Sequence, residues 1–240
     1  TNIAGCALAY LADSLSYLAS VVSLAFVRLP FQVARDDAGA ALPSLRRAIG
    51  EGLRFLWGQR RLRLLALLTT AVNFLQAPLN LAIIVLAQQT LRLNVQTIGL
   101  IFSVGGAAGL LASLVAPWVY TRVRFKPIVA GGIALWALAT VLLALAPGAP
   151  LLAAGQGLID LVWPFYAVAV VTYRLSVIPD HLQGRINSSF RLLTYGVEPL
   201  GTALGGVLLA VLGPRPVLWL AAAGLFLAFI FAAGSDLRQA

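Results

Sequence analysis

Long hydrophobic runs separated by short polar segments divide the chain into seven candidate membrane spans. Each run is close to the roughly 20 residues that a helix needs to cross a hydrocarbon core. Strands of membrane barrels are shorter and alternate polar with apolar residues, so the pattern favours helices and an all-α integral membrane protein. The predicted spans cover residues 3–27, 64–87, 98–120, 128–146, 151–177, 186–212 and 217–233.

Composition and charge support this interpretation and orient the spans. Of the residues, 60% are hydrophobic and 10% are charged, against about 25% charged in an ordinary soluble domain. One set of loops carries nearly all the basic residues, whereas the opposite set has only Arg92 and Arg215. By the positive-inside rule the basic loops are cytoplasmic, which places the carboxyl end inside. The net charge of +9 therefore reflects topology, and a nucleic-acid partner is not expected.

The segment 28–63 contains an amphipathic stretch, LPSLRRAIGEGLRFLWGQRRLR. Its apolar residues recur at helical spacing and its charged residues occupy the other side. The pattern predicts a linker helix between two helical bundles, or a helix that lies on the membrane with its arginines toward lipid phosphates. The apolar set is Leu42, Leu45, Ile49, Leu53 and Leu56, and the charged set is Arg46, Arg47, Glu51 and Arg54.

The second and fifth spans carry proline and polar side chains near their centres, in NFLQAPLN and DLVWPFY. Interrupted helices at matching positions of two repeats point to a binding site, because irregular backbone is tolerated only beside a cavity. A carboxylate near an indole suits a cationic or amphipathic ligand. The alternative is that these groups only join neighbouring helices. The candidate substrate-binding residues are Asn73, Gln76, Asn80, Asp160, Trp163 and Tyr166.

The sixth span has a polar stripe that keeps two charges inside a hydrophobic run. An ionised Glu198 near the bilayer centre would be costly, so it should pair with a cation or take up a proton. Arg191 can extend toward the membrane surface. In the preceding turn, Asp180 and Arg185 can pair with each other or remain solvated. The stripe comprises Asn187, Arg191, Thr194 or Tyr195, Glu198 and Thr202.

Small residues recur at intervals of four in two spans, which allows helices to approach closely. Gly105 and Gly109 lie on one stripe of the third span, and Gly201 and Gly205 on one stripe of the sixth.

Three stretches carry a family resemblance. YLADSLSYLASVVSLAFVR resembles the sixth helix of major facilitator transporters in the branch of enterobactin exporters and macrolide efflux proteins. EGLRFLWGQRRLRLLALL resembles the entry into helix seven, and VIPDHLQGRINSSFRLLTYGVEPLGTALGG resembles the passage into helix eleven. The loop YTRVRFKP departs from the family by lacking an acidic residue. The resemblance implies that helices seven and ten line a central cavity, and that the two glycine stripes meet the other half of the transporter.

The same resemblance implies a domain organisation. Residues 1–27 form the last helix of a missing N-terminal bundle and 28–63 the cytoplasmic linker. Residues 64–233 form a six-helix bundle of two inverted three-helix repeats, and 234–240 a cytoplasmic tail.

The expected function is secondary active export of small amphipathic molecules such as siderophores, macrolides or drugs, by alternating access in a bacterial inner membrane. Proton antiport would use Glu198 and Arg191, while Asp180 and Arg185 would act in gating. The expected partners are the substrate, protons, membrane lipids and the missing N-terminal half. No cofactor or metal is expected, because Cys6 and His181 are the only residues of their kinds.

Two other classes of protein remain open. A seven-helix receptor or sensor, or a non-transporting scaffold, fits the span count, although the only lysine, Lys126, lies in a loop. An enzyme is not expected, since the sequence has no HExxH, paired-cysteine or GxSxG pattern.

Overall fold

The computed structural model describes residues 3–26 and 45–235, which belong to two separate units, Thr1–Pro43 and Ser44–Ala240. The described part of the first unit is helix α1, Ile3–Ala25. Within α1 the hydroxyls of Ser14, Ser20 and Ser23 donate to carbonyls four residues earlier, so these polar groups are satisfied inside the helix. The amino-terminal part of the predicted linker, including Leu42, and most of the predicted tail lie outside the described residues.

The second unit is helical throughout its described part. Six of its helical segments are long and apolar enough to cross a membrane: Arg60–Thr90, Val95–Arg122, Phe125–Leu145, Ala149–Val177, Gln183–Leu212 and Pro214–Gly234. The helices are α2 (Leu45–Gly58), α3 (Arg60–Gln76), α4 (Leu79–Val85), α5 (Val95–Arg122), α6 (Phe125–Leu145), α7 (Ala149–Val177), α8 (Gln183–Tyr195), α9 (Glu198–Leu212) and α10 (Pro214–Gly234). The all-α prediction is confirmed. In the described residues the first predicted span, 3–27, is represented by a shorter apolar segment, Tyr10–Ala25.

Two of the six spans are broken near their centres. The span Arg60–Thr90, the first of this unit, changes from α3 to α4 at Ala77 and Pro78. Pro78 has no N–H, so the carbonyl of Phe74 loses its helical partner. The fifth span of this unit changes from α8 to α9 at residues 196–197, directly before Glu198.

The predicted interruption at Pro164 is wrong. Helix α7 continues through this proline from Ala149 to Val177. It packs along α5 on one side and α6 on the other, and this packing keeps the proline-containing turn helical. The second break therefore lies between α8 and α9, in the span that follows the one containing Pro164.

The predicted glycine stripes pack inside this bundle. A Cβ atom on Gly109 would lie 3.3 Å from the carbonyl oxygen of Asp160, the group that Pro164 deprives of its helical donor. A Cβ atom on Gly201 would lie 2.7 Å from the carbonyl oxygen of Phe74. In both cases glycine lets a neighbouring helix approach a carbonyl that a proline has freed.

Helix α2 packs on protein, mainly against α8. Leu56 is completely buried and Leu53 is half-buried, whereas Arg54 is exposed, as the amphipathic pattern predicts. A Cβ atom on Gly52 would lie 2.8 Å from the carbonyl oxygen of Arg185, so the two helices are in close contact. The described part of the linker thus has the form of a helix docked on the bundle.

Candidate functional site

A cavity of about 270 Å³ lies between the first span, α7 and α9. The two halves of the first span contribute its amides, α7 contributes a carboxylate and an indole, and the start of α9 contributes a second carboxylate. The structure brings together six of the predicted site residues here, while Tyr166, Arg191, Asp180 and Arg185 lie elsewhere. The lining residues are Asn73, Gln76, Ala77, Leu79, Asn80, Ile159, Asp160, Trp163, Glu198 and Thr202.

The three amides of the first span differ in what they contact. Asn73 is buried, and its Nδ2 donates to the carbonyl of Thr194 at 2.8 Å. Gln76 Nε2 is buried without a hydrogen-bond partner among the described residues, and Asn80 is exposed. Asn73 therefore joins two helices as well as lining the cavity. Gln76 also lines the cavity, and its Nε2 donor is free.

The carboxylate of Asp160 is positioned by its own helix and by α5. Gln156 Nε2 donates to Asp160 Oδ2 at 2.8 Å, one helical turn away. A Cβ atom on Gly105 would meet the same oxygen, so α5 closes one side of the carboxylate. The remaining side of Asp160 faces the cavity.

The indole of Trp163 is fixed by a second tryptophan. The ring centroids of Trp163 and Trp136 are 6.0 Å apart and tilted by 40°. Trp136 is fully buried, and its Nε1 donates to the carbonyl of Ile159 at 3.0 Å. Trp163 keeps 39% of its surface exposed and is thus a supported but accessible wall of the cavity.

The break between α8 and α9 determines the environment of Glu198. Its carboxylate belongs to the first turn of α9, where the free N–H groups of a helix favour negative charge. The predicted continuous span would have given Glu198 no such surroundings. Arg191 is exposed on α8, with its guanidinium 5.9 Å from the ring centroid of Tyr195, and it does not line this cavity.

Tyr166 lies in a second, smaller chamber and not in the central cavity. Its hydroxyl is 2.9 Å from Thr69 Oγ1, and its side chain is buried. Trp163 is the residue that lines both spaces. The second chamber has a volume of about 50 Å³ and is lined by Thr69, Trp163, Tyr166, Ala167, Val170, Val171, Arg174, Phe190, Thr194 and Tyr195.

Asp180 and Arg185, for which the sequence left pairing or solvation open, do not pair with each other in the structure. Asp180 Oδ1 accepts a hydrogen bond from Gln183 Nε2 at 2.8 Å. Arg185 Nη1 instead contacts Glu51 Oε2 at 2.7 Å, because this side of α8 is covered by α2. Asp180 therefore makes a contact within the turn, and Arg185 makes a contact to the linker helix α2.

Sequence reasoning did not identify the second chamber. Arg174 is one of the basic residues that orient the spans, and no sequence motif distinguishes Thr69. The available signal was their spacing, since Thr69 is four residues before Asn73 and Arg174 is eight residues after Tyr166. Each pair therefore shares one helical face.

The comparison with known families agrees with the all-helical membrane fold. Residues 64–236 match the Major Facilitator Superfamily, and the chain belongs to this family of membrane transporters. A comparison with curated protein sequences gave no match.

Proposed function

We propose that this chain is part of a secondary active transporter that exports small amphipathic molecules by alternating access, with protons as the coupling ion. The observation that carries the proposal is the cavity that collects two carboxylates, three amides and an exposed indole from separate helices. Polar groups of this kind inside membrane spans are costly unless they serve a cavity or one another.

The walls of the cavity suit an organic substrate with both polar and apolar parts. Trp163 offers a large apolar surface and an attractive face for a cation, and Asp160 lies in the same cavity. The free Nε2 of Gln76 and the exposed Asn80 supply hydrogen bonds that orient a ligand. Siderophores, macrolides and other drug-like molecules have this mixed character.

Glu198 is the proposed proton carrier. It lines the cavity next to the break between α8 and α9, where a change in helix geometry would alter its access to water. A carboxyl that binds a proton in one state and releases it in the other couples proton entry to substrate exit. Arg191 lies apart from the cavity, so Glu198 carries this proposal alone.

The proposed transporter has a particular family branch, membrane and second half. The chain resembles the enterobactin and macrolide efflux branch and would operate in a bacterial inner membrane with its carboxyl end in the cytoplasm. An N-terminal six-helix half would complete the cavity and permit the two halves to rock against each other. The linker helix α2, anchored on α8 through Gly52 and Arg185, would then transmit movement of one half to the other.

Transport in proteoliposomes tests the proposal. The complete transporter, consisting of this chain joined to its N-terminal half, is reconstituted and offered a fluorescent amphipathic cation and a neutral dye of similar size. We expect both to move out of the compartment that corresponds to the cytoplasm, at a rate that rises with an opposing proton gradient. If neither compound moves, or if the rate does not change with the proton gradient, the result would contradict proton-driven export.

A further inference from the structure

The second chamber contains an arginine that has no counter-charge among the described residues. Arg174 lies in the last turn of α7 and is only 8% exposed. Its guanidinium carbon is 4.1 Å from the ring centroid of Phe190. Its Nε atom is buried and has no hydrogen-bond partner among the described residues.

The described groups around Arg174 do not offset the cost of burying its positive charge. The nearby groups that interact with it electrostatically are Tyr195 and a second cation, Arg191. In the part of the chain that the structure describes, no carboxylate forms an ion pair with Arg174. A buried guanidinium that keeps its charge needs an anion or several hydrogen-bond acceptors.

We propose that the chamber beside Arg174 binds the carboxylate of a small organic acid. The planar guanidinium presents donors in a fork that matches the two oxygens of a carboxylate. Tyr195 also lines the chamber and carries a hydroxyl that can donate to a carboxylate. The carboxylate neutralises Arg174 and provides the acceptor that its Nε atom lacks.

The other walls select an organic anion over a bare inorganic one. Ala167, Val170 and Val171 line the chamber along α7 and present apolar surface to the body of a ligand. The volume of about 50 Å³ exceeds the roughly 10–15 Å³ needed for one water molecule, so the space admits a short aliphatic acid in place of a few waters. This site shares only Trp163 with the central cavity and does not depend on the proposed export function.

The experiment measures binding of butyrate to the detergent-solubilised chain by saturation-transfer NMR, with butyramide as the neutral analogue. We expect saturable binding of butyrate that is at least tenfold tighter than that of butyramide. Arg174→Gln should weaken butyrate binding at least tenfold and leave butyramide unchanged. The matched control is Arg122→Gln, because Arg122 also lies in the last turn of a span and stacks 4.2 Å from a tryptophan ring, but is exposed.

Two further measurements keep the result decisive if Arg174→Gln does not fold. Ala167→Leu fills the chamber without changing its charge and should abolish butyrate binding. Chloride at the same concentration as butyrate should not displace it. Absence of binding, equal binding of butyramide, unchanged binding in a folded Arg174→Gln or Ala167→Leu variant, or full displacement by equimolar chloride would each overturn the proposal.

Discussion

Asn73 on α3 donates a hydrogen bond from Nδ2 to the backbone carbonyl of Thr194 on α8, at 2.8 Å. Asn73 lies one turn before the break of the first span, and Thr194 is the second-last residue of α8, just before the break between α8 and α9. The bond therefore joins the two interrupted spans beside the places where each changes direction. The hydroxyl of Thr70 donates to the carbonyl of Ala66 at 2.8 Å and lies 3.4 Å from the carbonyl of Leu193, beside the same contact.

The first prediction concerns this bond. Asn73→Ala should lower the free energy of unfolding by about 0.6 to 2 kcal/mol, the range of hydrogen bonds between membrane helices. Asn80→Ala is the control, because Asn80 lines the same cavity but is exposed. Unfolding of the purified variants by denaturant measures the difference. Equal losses in the two variants would show that the bond to Thr194 contributes nothing specific.

The second prediction uses two adjacent glycines of α9. A Cβ atom on Gly205 would collide with the ring of Pro78, whereas one on Gly206 would meet nothing within 4 Å. Gly205→Ala should therefore destabilise the bundle by about 1 to 3 kcal/mol, as overpacking does elsewhere. Gly206→Ala should preserve or slightly raise stability. Thermal unfolding in detergent distinguishes them, and a Gly205→Ala protein as stable as the parent would refute close packing at Pro78.

The third prediction tests the docking of the linker helix. Gly52→Ala should push α2 away from Arg185 and Ser189, because the added methyl group has no room there. Gly50 has open space, and its replacement by alanine should raise stability by up to about 1 kcal/mol through helix propensity. Limited trypsin digestion at Arg54 should be faster in Gly52→Ala and slower in Gly50→Ala. The same change in both variants would indicate that α2 does not depend on this contact.

The fourth prediction addresses substrate contacts in the complete transporter. Asp160→Asn removes a negative charge from the cavity and should reduce export of a cationic substrate about tenfold more than export of a neutral one, equivalent to about 1.4 kcal/mol. Trp163→Ala should reduce both, since it removes apolar contact area. Initial export rates at several substrate concentrations provide the measurement.

A structural role for Asp160 makes a different prediction. Equal loss for cationic and neutral substrates, together with less protein in the membrane, would mean that the carboxylate, which accepts from Gln156 within α7, mainly packs α7 against Gly105 of α5.

The fifth prediction concerns proton coupling. Glu198→Gln imitates the protonated carboxyl, so the complete transporter should still fold and bind substrate. Export driven by a pH gradient should be lost, while exchange of substrate across the membrane without a gradient should persist. Both rates can be followed in the same proteoliposomes. Unchanged export under a pH gradient would eliminate Glu198 as the carrier and direct attention to Asp160.

Much of the architecture follows from the sequence alone. A membrane core of fixed thickness demands long apolar helices, so the six described spans could be located by hydrophobic runs. Helical periodicity is local, and it correctly grouped Asn73, Gln76 and Asn80 on one face. Asp160 and Glu198 could be expected to avoid lipid, because charges in hydrocarbon are costly.

The arrangement between helices was decided by the tertiary structure. Pro164 does not break α7, because α5 and α6 support that helix on both sides, while the passage from α8 to α9 is broken at residues 196–197. Tyr166 contacts Thr69 instead of entering the central cavity, and Arg185 contacts Glu51 instead of Asp180. Spacing along one helix fixes which residues share a face, but the neighbour that each face meets depends on the rotation and packing of all six spans.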